Sequence, residues 1–162
     1  MTTVAPLALA LASVLLQPAG PVVPDFSGTW TLDEGRSDSA NQERYVSPMI
    51  VVISQADAWT LVVETRRGDR VETLTFVIEP APERPGAIGA GTRRAYWDGP
   101  KLVTEGGGNV QGKTVSVRAV RTLNATATEM TVESMVAVQH GYTLRGAQTY
   151  AQVKDVFTRM AK

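Results

Sequence analysis

Few residues in this chain have reactive side chains, and their spacing matches no catalytic pattern. The chain has one histidine, His140, and no cysteine. A histidine that acts as a general base needs a nucleophile and an orienting acid. No serine motif accompanies His140, which precedes Gly141 in a predicted turn. Asp25, Asp33 and Glu34 cluster in sequence, but hydrolysis by paired carboxylates needs two acids that converge in a cleft. The sequence therefore predicts no catalytic residue.

Metal and cofactor chemistry has equally little support. With no cysteine and one histidine, only carboxylates remain as metal ligands, and no acidic run has the spacing of a calcium loop. A solvated turn explains His140 better than ligation of a haem does. We expect neither a metal ion nor a cofactor.

The charge balance limits the partners. Lys plus Arg and Asp plus Glu each number 16, and all of these residues follow Pro24. The presumed folded part is therefore neutral. A neutral domain lacks the basic surface that attracts a phosphate backbone or an anionic bilayer. We expect no nucleic-acid partner.

The first 24 residues read as a leader. Residues 5–16 are an apolar block of 12 residues, which suits the core of a signal peptide and is too short to span a bilayer. Prolines and a glycine follow between residues 18 and 24. We expect a signal peptide or leader at residues 1–24 and a domain at residues 25–162 that is periplasmic or secreted, in a bacterium, without stable membrane insertion. An uncleaved anchor and a misassigned start codon are the alternatives.

Alternation of period two runs through most of residues 25–162. In Asp25–Leu32, Phe26, Gly28, Trp30 and Leu32 share one face, which predicts a first strand with an inward tryptophan. Trp59 is predicted to face inward with Leu61. Val120 interrupts the alternation of its strand, which favours a bulge. Further strands are predicted at residues 49–54, 59–65, 71–78, 92–96, 101–104, 114–123, 130–138 and 149–159.

The connections between these strands predict the fold class. Most are short turns, and no stretch of ten residues has a helical apolar period. Closure into a barrel removes the two exposed edges of an open meander. We predict an all-β fold, an antiparallel up-and-down β-barrel of about eight strands. Glu79–Gly91, with three prolines and three glycines, is predicted to be a long loop, and Gly106–Gly112 a flexible connection.

The run Phe26-Ser-Gly-Thr-Trp30 contains a Gly-x-Trp that resembles the first-strand signature of lipocalins and their calycin relatives. Continued to Asp38, and with Trp97-Asp98-Gly99 and Lys154–Arg159, it is similar to a group of exported bacterial lipocalin-like proteins. The resemblance implies that Arg159 packs across the indole of Trp30, a contact that contributes about 0.5–2 kcal/mol. Gly28, Trp30 and Arg159 are then structural residues.

The inward faces of the predicted strands suggest where a ligand would bind. An eight-stranded barrel either fills itself with side chains or holds one small ligand, and the residues alone favour neither outcome. Our first hypothesis is a non-enzymatic binding protein for a small apolar or amphipathic molecule that enters under the Glu79–Gly91 loop. The alternative is a filled envelope domain that interacts through its rim loops. The candidate ligand-binding residues are Leu61, Val63, Leu74, Phe76, Val117, Val132 and Val136.

Overall fold

The computed structural model describes residues 23–55, 57–83, 88–139 and 148–161. Its strands form one closed barrel in sequence order. The predicted all-β barrel is confirmed, with nine strands rather than about eight. They are β1 Gly28–Leu32, β2 Met49–Gln55, β3 Thr60–Arg67, β4 Arg70–Ile78, β5 Arg93–Asp98, β6 Lys101–Val110, β7 Lys113–Leu123, β8 Glu129–Gln139 and β9 Gln148–Arg159.

One pair of neighbouring strands departs from the predicted antiparallel pattern. β4 and β5 run parallel, with Val77 opposite Arg94, whereas the other neighbours, including β9 and β1, are antiparallel. Strand direction can alternate all the way around a closed ring only when the number of strands is even. A ring of nine must therefore contain a parallel pair. The predicted loop at Glu79–Gly91 lies in the connection that this pair requires.

The end of that loop packs on the outside of β6. Gly91 N donates to Gly107 O at 2.9 Å, and Gly107 N donates to Thr92 O at 2.9 Å. A Cβ on Gly107 would lie 2.2 Å from Gly89 O, so the close approach of the loop requires glycine there. The predicted flexible connection at Gly106–Gly112 is therefore wrong, because β6 continues to Val110. The described end of the loop, at Ile88 and Gly89, lies on the outer face of β6, and ligand entry under the loop stays a prediction.

Large apolar side chains fill the barrel where β1 begins and β9 ends, and we call this the packed end. Five large side chains at this end or next to it are completely buried: Phe26, Trp30, Leu61, Leu102 and Met130. The Phe26 and Trp97 rings pack with centroids 6.0 Å apart. The opposite end contains the turns at residues 68–69 and 111–112, and we call it the open end.

Arg159 joins the first and last strands at the packed end. Its Cζ lies 4.2 Å from the centroid of the Trp30 ring, which is the contact implied by the resemblance. A Cβ on Gly28 would lie 3.2 Å from Arg159 Nη1. Trp30 Nε1 donates to Phe26 O at 3.0 Å. The Arg159 guanidinium also donates to three carbonyl oxygens, at 2.7 Å to Ser27, 3.0 Å to Asp25 and 2.8 Å to Ala127.

Residues 33–41, which we call the strap, continue from β1 along the edge of β9. They contain two 3₁₀ turns, Glu34–Arg36 and Asp38–Asn41. Asp33 N donates to Val156 O at 2.8 Å, and Val156 N donates to Ser37 Oγ at 2.9 Å. Because β1 ends at Leu32, these bonds replace the strand pairing that β9 would otherwise lack.

Two local predictions are wrong. Trp59 precedes β3 and is 67% exposed, so it does not face inward. β7 pairs with both neighbours without a break, and Val120 lies opposite Val103 on the outer face rather than in a bulge. Residues 1–22 of the predicted leader at residues 1–24, and the predicted turn at His140, lie outside the described residues.

Candidate ligand site in the barrel interior

A cavity of about 130 Å³ lies inside the barrel between β2, β3, β7, β8 and β9. Pockets for drug-sized ligands measure roughly 300–1,000 Å³. The cavity therefore suits a small molecule or the polar end of a larger one. It is lined by Met49, Val51, Val63, Thr65, Arg67, Arg121, Met130, Val132, Ser134, Asp155 and Phe157.

Arg121 is the unusual member of this lining. It follows the inward phase of β7 and is 8% exposed. Its Nη1 donates to Thr104 Oγ1 at 2.7 Å, and no carboxylate oxygen of the described residues lies within 4.0 Å of its guanidinium. Burial lowers the pKa of Arg121 to about 10. The side chain is still positively charged at neutral pH.

Glu105 is a second buried charge in this barrel and, unlike Arg121, it has partners of opposite charge. Glu105, on the outward phase of β6, is 3% exposed. It accepts hydrogen bonds from Arg94 Nε at 2.7 Å and from the Tyr96 hydroxyl at 3.1 Å, and Arg118 Nε lies 3.3 Å away. A buried ion is costly unless it is paired in this manner. Arg121 has no such partner among the described residues.

Asp155 lines the same cavity from β9 and is 7% exposed. The register places Arg121 opposite Val132, and Val132 opposite Asp155. The three residues therefore form one row across β7, β8 and β9, on the inner face. Ser39 of the strap donates to the carboxylate of Asp155, from its N at 2.9 Å and from its Oγ at 2.6 Å.

Beyond this row, inward positions of the described strands are exposed. Val117 shares the inward phase of Arg121 and yet is 40% exposed. Gly106 lies opposite Val117 on the same inner face, and Gly108 follows it two residues later. A Cβ built on Gly108 would meet no atom of the described residues within 4 Å. An inward position with empty space before it is not part of a filled core, which is why we call this the open end.

The fold is a closed β-barrel of nine strands. The sequence matches no family model and no curated protein. Among solved structures, the crystal structure of a mutant of the fluorescent protein UnaG is similar over 85% of this chain and 97% of that chain. The two are 17% identical with a TM-score of 0.46. The closed ring of strands is shown by the strand pairing of this chain itself.

The predicted ligand-binding residues all follow the inward phase of their strands, but they lie at different depths. Leu61 and Phe76 are part of the packed core, and Leu74 packs against it. Val63 and Val132 line the cavity. Val117 and Val136 lie opposite each other on β7 and β8, towards the open end. The candidates therefore mark the apolar walls of the interior.

The sequence interpretation missed the polar groups of the site, Arg121, Thr104 and Asp155. The signal for Arg121 was present, because Val115, Val117 and Ala119 precede it at intervals of two. A strand that continued in phase would place Arg121 inside. The unexpected Val120 was instead attributed to a bulge.

Two features, a cluster of metal ligands and a membrane-spanning helix, are absent from the described part of the chain. No group of three or more histidine, cysteine, aspartate or glutamate side chains there is arranged to hold a metal ion. Nor does that part contain a helix long and apolar enough to cross a bilayer.

Proposed function

We propose that this protein binds a small amphipathic anion inside its barrel, with the acid group at Arg121 and the apolar body towards the open end. The observation that carries the proposal is the burial of Arg121 without a carboxylate partner within 4.0 Å among the described residues. A planar guanidinium matches a carboxylate with two parallel hydrogen bonds.

The energetics favour a ligand as the missing partner. Replacing buried ions by apolar residues is often neutral or stabilising by about 1–4 kcal/mol. A protein that keeps Arg121 in its interior therefore forgoes stability unless something pairs with the charge. A bound anion supplies the pair and stabilises the folded state by mass action.

The geometry of the interior supports an amphipathic ligand rather than a bare inorganic ion. Val63, Val132 and Phe157 supply apolar walls beside Arg121. Among the described residues, the open space before Gly108 and the exposed inward face of Val117 extend the interior beyond the cavity of about 130 Å³. A medium-chain carboxylate could place its acid group at Arg121 and its chain along these residues.

We further propose that binding occurs without catalysis and outside the cytoplasm. The first part is supported by the sequence, in which no nucleophile, base and acid form a catalytic pattern. The second is supported by the apolar block at residues 5–16, which has the length of a signal-peptide core. Cell fractionation of the full chain, with sequencing of its amino terminus, tests the compartment.

The binding experiment compares octanoate with octanol, which differ in charge at the same chain length. Displacement of the fluorescent anion 8-anilinonaphthalene-1-sulfonate reports both affinities. We expect octanoate to bind at least about tenfold tighter than octanol, a difference of about 1.4 kcal/mol. Arg121→Met should abolish that preference. Arg66→Met, at an exposed arginine paired with Glu64, should preserve it.

Two results would refute the proposal. One is equal affinity of the wild type for octanoate and octanol. The other is a preference for octanoate that survives Arg121→Met, because the anion would then be held elsewhere. Arg121→Lys refines the test, since it keeps the charge and loses the planar fork, and we expect it to retain part of the preference.

A further inference from the structure

We infer that the ligand is dipolar, an acid that also carries an ammonium group, and that Asp155 binds the ammonium group. This inference rests on the proposed function, because it assumes that the acid group lies at Arg121. It goes further by naming the class of ligand and a second residue that selects it.

The positions of the two charges carry the inference. Arg121 and Asp155 line one cavity and lie in one row, separated by Val132. Neighbouring strands are about 4.8 Å apart, so the Cα atoms of the two residues are roughly 10 Å apart. The side chains form no ion pair with each other within 4.0 Å. The row therefore presents a cation and an anion on either side of an apolar residue.

The hydrogen bonds of Asp155 leave its charge uncompensated. Both donors, the backbone N and the Oγ of Ser39, are neutral groups. No lysine or arginine nitrogen of the described residues lies within 4.0 Å of the carboxylate. Each carboxylate oxygen has a further lone pair beyond the one that Ser39 uses. Asp155 can therefore accept additional hydrogen bonds from a cationic group in the cavity.

A dipolar ligand also fits the size and charge of the site. An anion alone would leave Asp155 unpaired and close to a second negative charge, which is unfavourable in a region of low dielectric. A ligand with opposite charges at its two ends pairs both side chains. The cavity of about 130 Å³ accommodates a short molecule of this kind.

Asp155 also has a structural role, since it anchors Ser39 of the strap, and the variants must separate the two roles. Asparagine can accept the bond from Ser39 N through Oδ1 and donate to Ser39 Oγ through Nδ2. Asp155→Asn therefore removes the charge while both contacts with the strap remain available. Ser39→Ala does the reverse, because it removes one contact of the strap and leaves the charge.

The experiment uses calorimetric titration of two matched series. One consists of unbranched ω-amino acids of four to eight carbons, and the other of alkanoates of the same lengths. At the best length we expect the amino acid to bind at least about tenfold tighter than the alkanoate. Asp155→Asn should remove the difference between the series, and Ser39→Ala should retain it. Arg121→Met should weaken binding of both series.

The outcomes distinguish failure of the dipolar ligand from failure of the proposed function, an anion bound at Arg121. If alkanoates bind in a manner that depends on Arg121, but the added ammonium group gives no gain at any length, the inference is wrong and the proposed function stands. If ω-hydroxy acids bind as tightly as ω-amino acids, the assignment of an ammonium group is wrong. If neither series binds to the wild type, the proposed function fails, and the inference fails with it.

Discussion

Two arginines on the inward phase of their strands, Arg159 and Arg121, have opposite surroundings. Arg159, at the packed end, donates to three backbone carbonyls and covers the Trp30 ring at 4.2 Å. Arg121, in the middle of the barrel, has a single hydrogen bond to Thr104 and no carboxylate within 4.0 Å among the described residues. The same side chain thus joins strands in one place and is available to a ligand in the other.

The packed end and the open end of the barrel also differ in how far their inward side chains are buried. At the packed end, Phe26 and Trp30 are fully buried in the core. At the open end, Val117 faces inward and yet is exposed, and a Cβ on Gly108 would meet no atom of the described residues within 4 Å. The difference predicts that substitutions at the packed end lower stability more than substitutions towards the open end.

The largest effect is expected at the packed end. Trp30→Ala should lower the free energy of unfolding by about 3–5 kcal/mol, because it removes a buried ring and leaves a cavity. Thermal and urea unfolding measure the change. Trp59→Ala provides the control, since the ring is 67% exposed and its loss should change stability by no more than about 0.5 kcal/mol. A Trp30→Ala variant as stable as the wild type would contradict the division between the two ends.

An intermediate effect should separate two neighbouring glycines of β6. Gly107→Ala should lower stability by about 1–3 kcal/mol, because its Cβ would collide with Gly89 O at 2.2 Å. Gly108→Ala should leave stability unchanged or raise it by up to about 1 kcal/mol, since its Cβ meets nothing within 4 Å. Urea unfolding compares the two variants. Equal destabilisation would show that the space before Gly108 is not open.

The smallest effect concerns the pH dependence of binding. Burial lowers the pKa of Arg121 to about 10, so the guanidinium binds an anion fully at neutral pH and loses its proton as the pH rises through that value. The affinity for octanoate should be constant between about pH 6 and 9, halve by about pH 10, and fall about tenfold for each pH unit above that value. Titrations in a series of buffers measure it. A decline already complete by pH 8 would point to a different cationic group.

Much of the fold could be predicted from the sequence, because the alternation of apolar residues reports which strands bury one face. The pairing of Trp30 with Arg159 followed from the resemblance to lipocalins. The parallel pair was missed because it depends on the parity of the strand count. Gly106 and Gly107 in β6 predict a flexible connection, because nothing local indicates that Gly89 packs against Gly107 from the adjoining loop.

The candidate site was harder to predict than the fold. Its apolar walls, Val63 and Val132 among them, follow from the alternation. Arg121 and Asp155 violate the rule on which that alternation depends, since charged residues are normally outside. A charged residue on an inward phase is therefore more informative about function than the apolar residues around it.

The most direct test of the account is the stability of Arg121→Met without any added anion. Because Arg121 is buried without a charge partner, its replacement by an apolar residue of similar length should raise the free energy of unfolding by about 1–4 kcal/mol in urea. The same replacement at Arg159 should lower it. A marked loss of stability in Arg121→Met would contradict the account, because it would show that the arginine already has its partner within the protein.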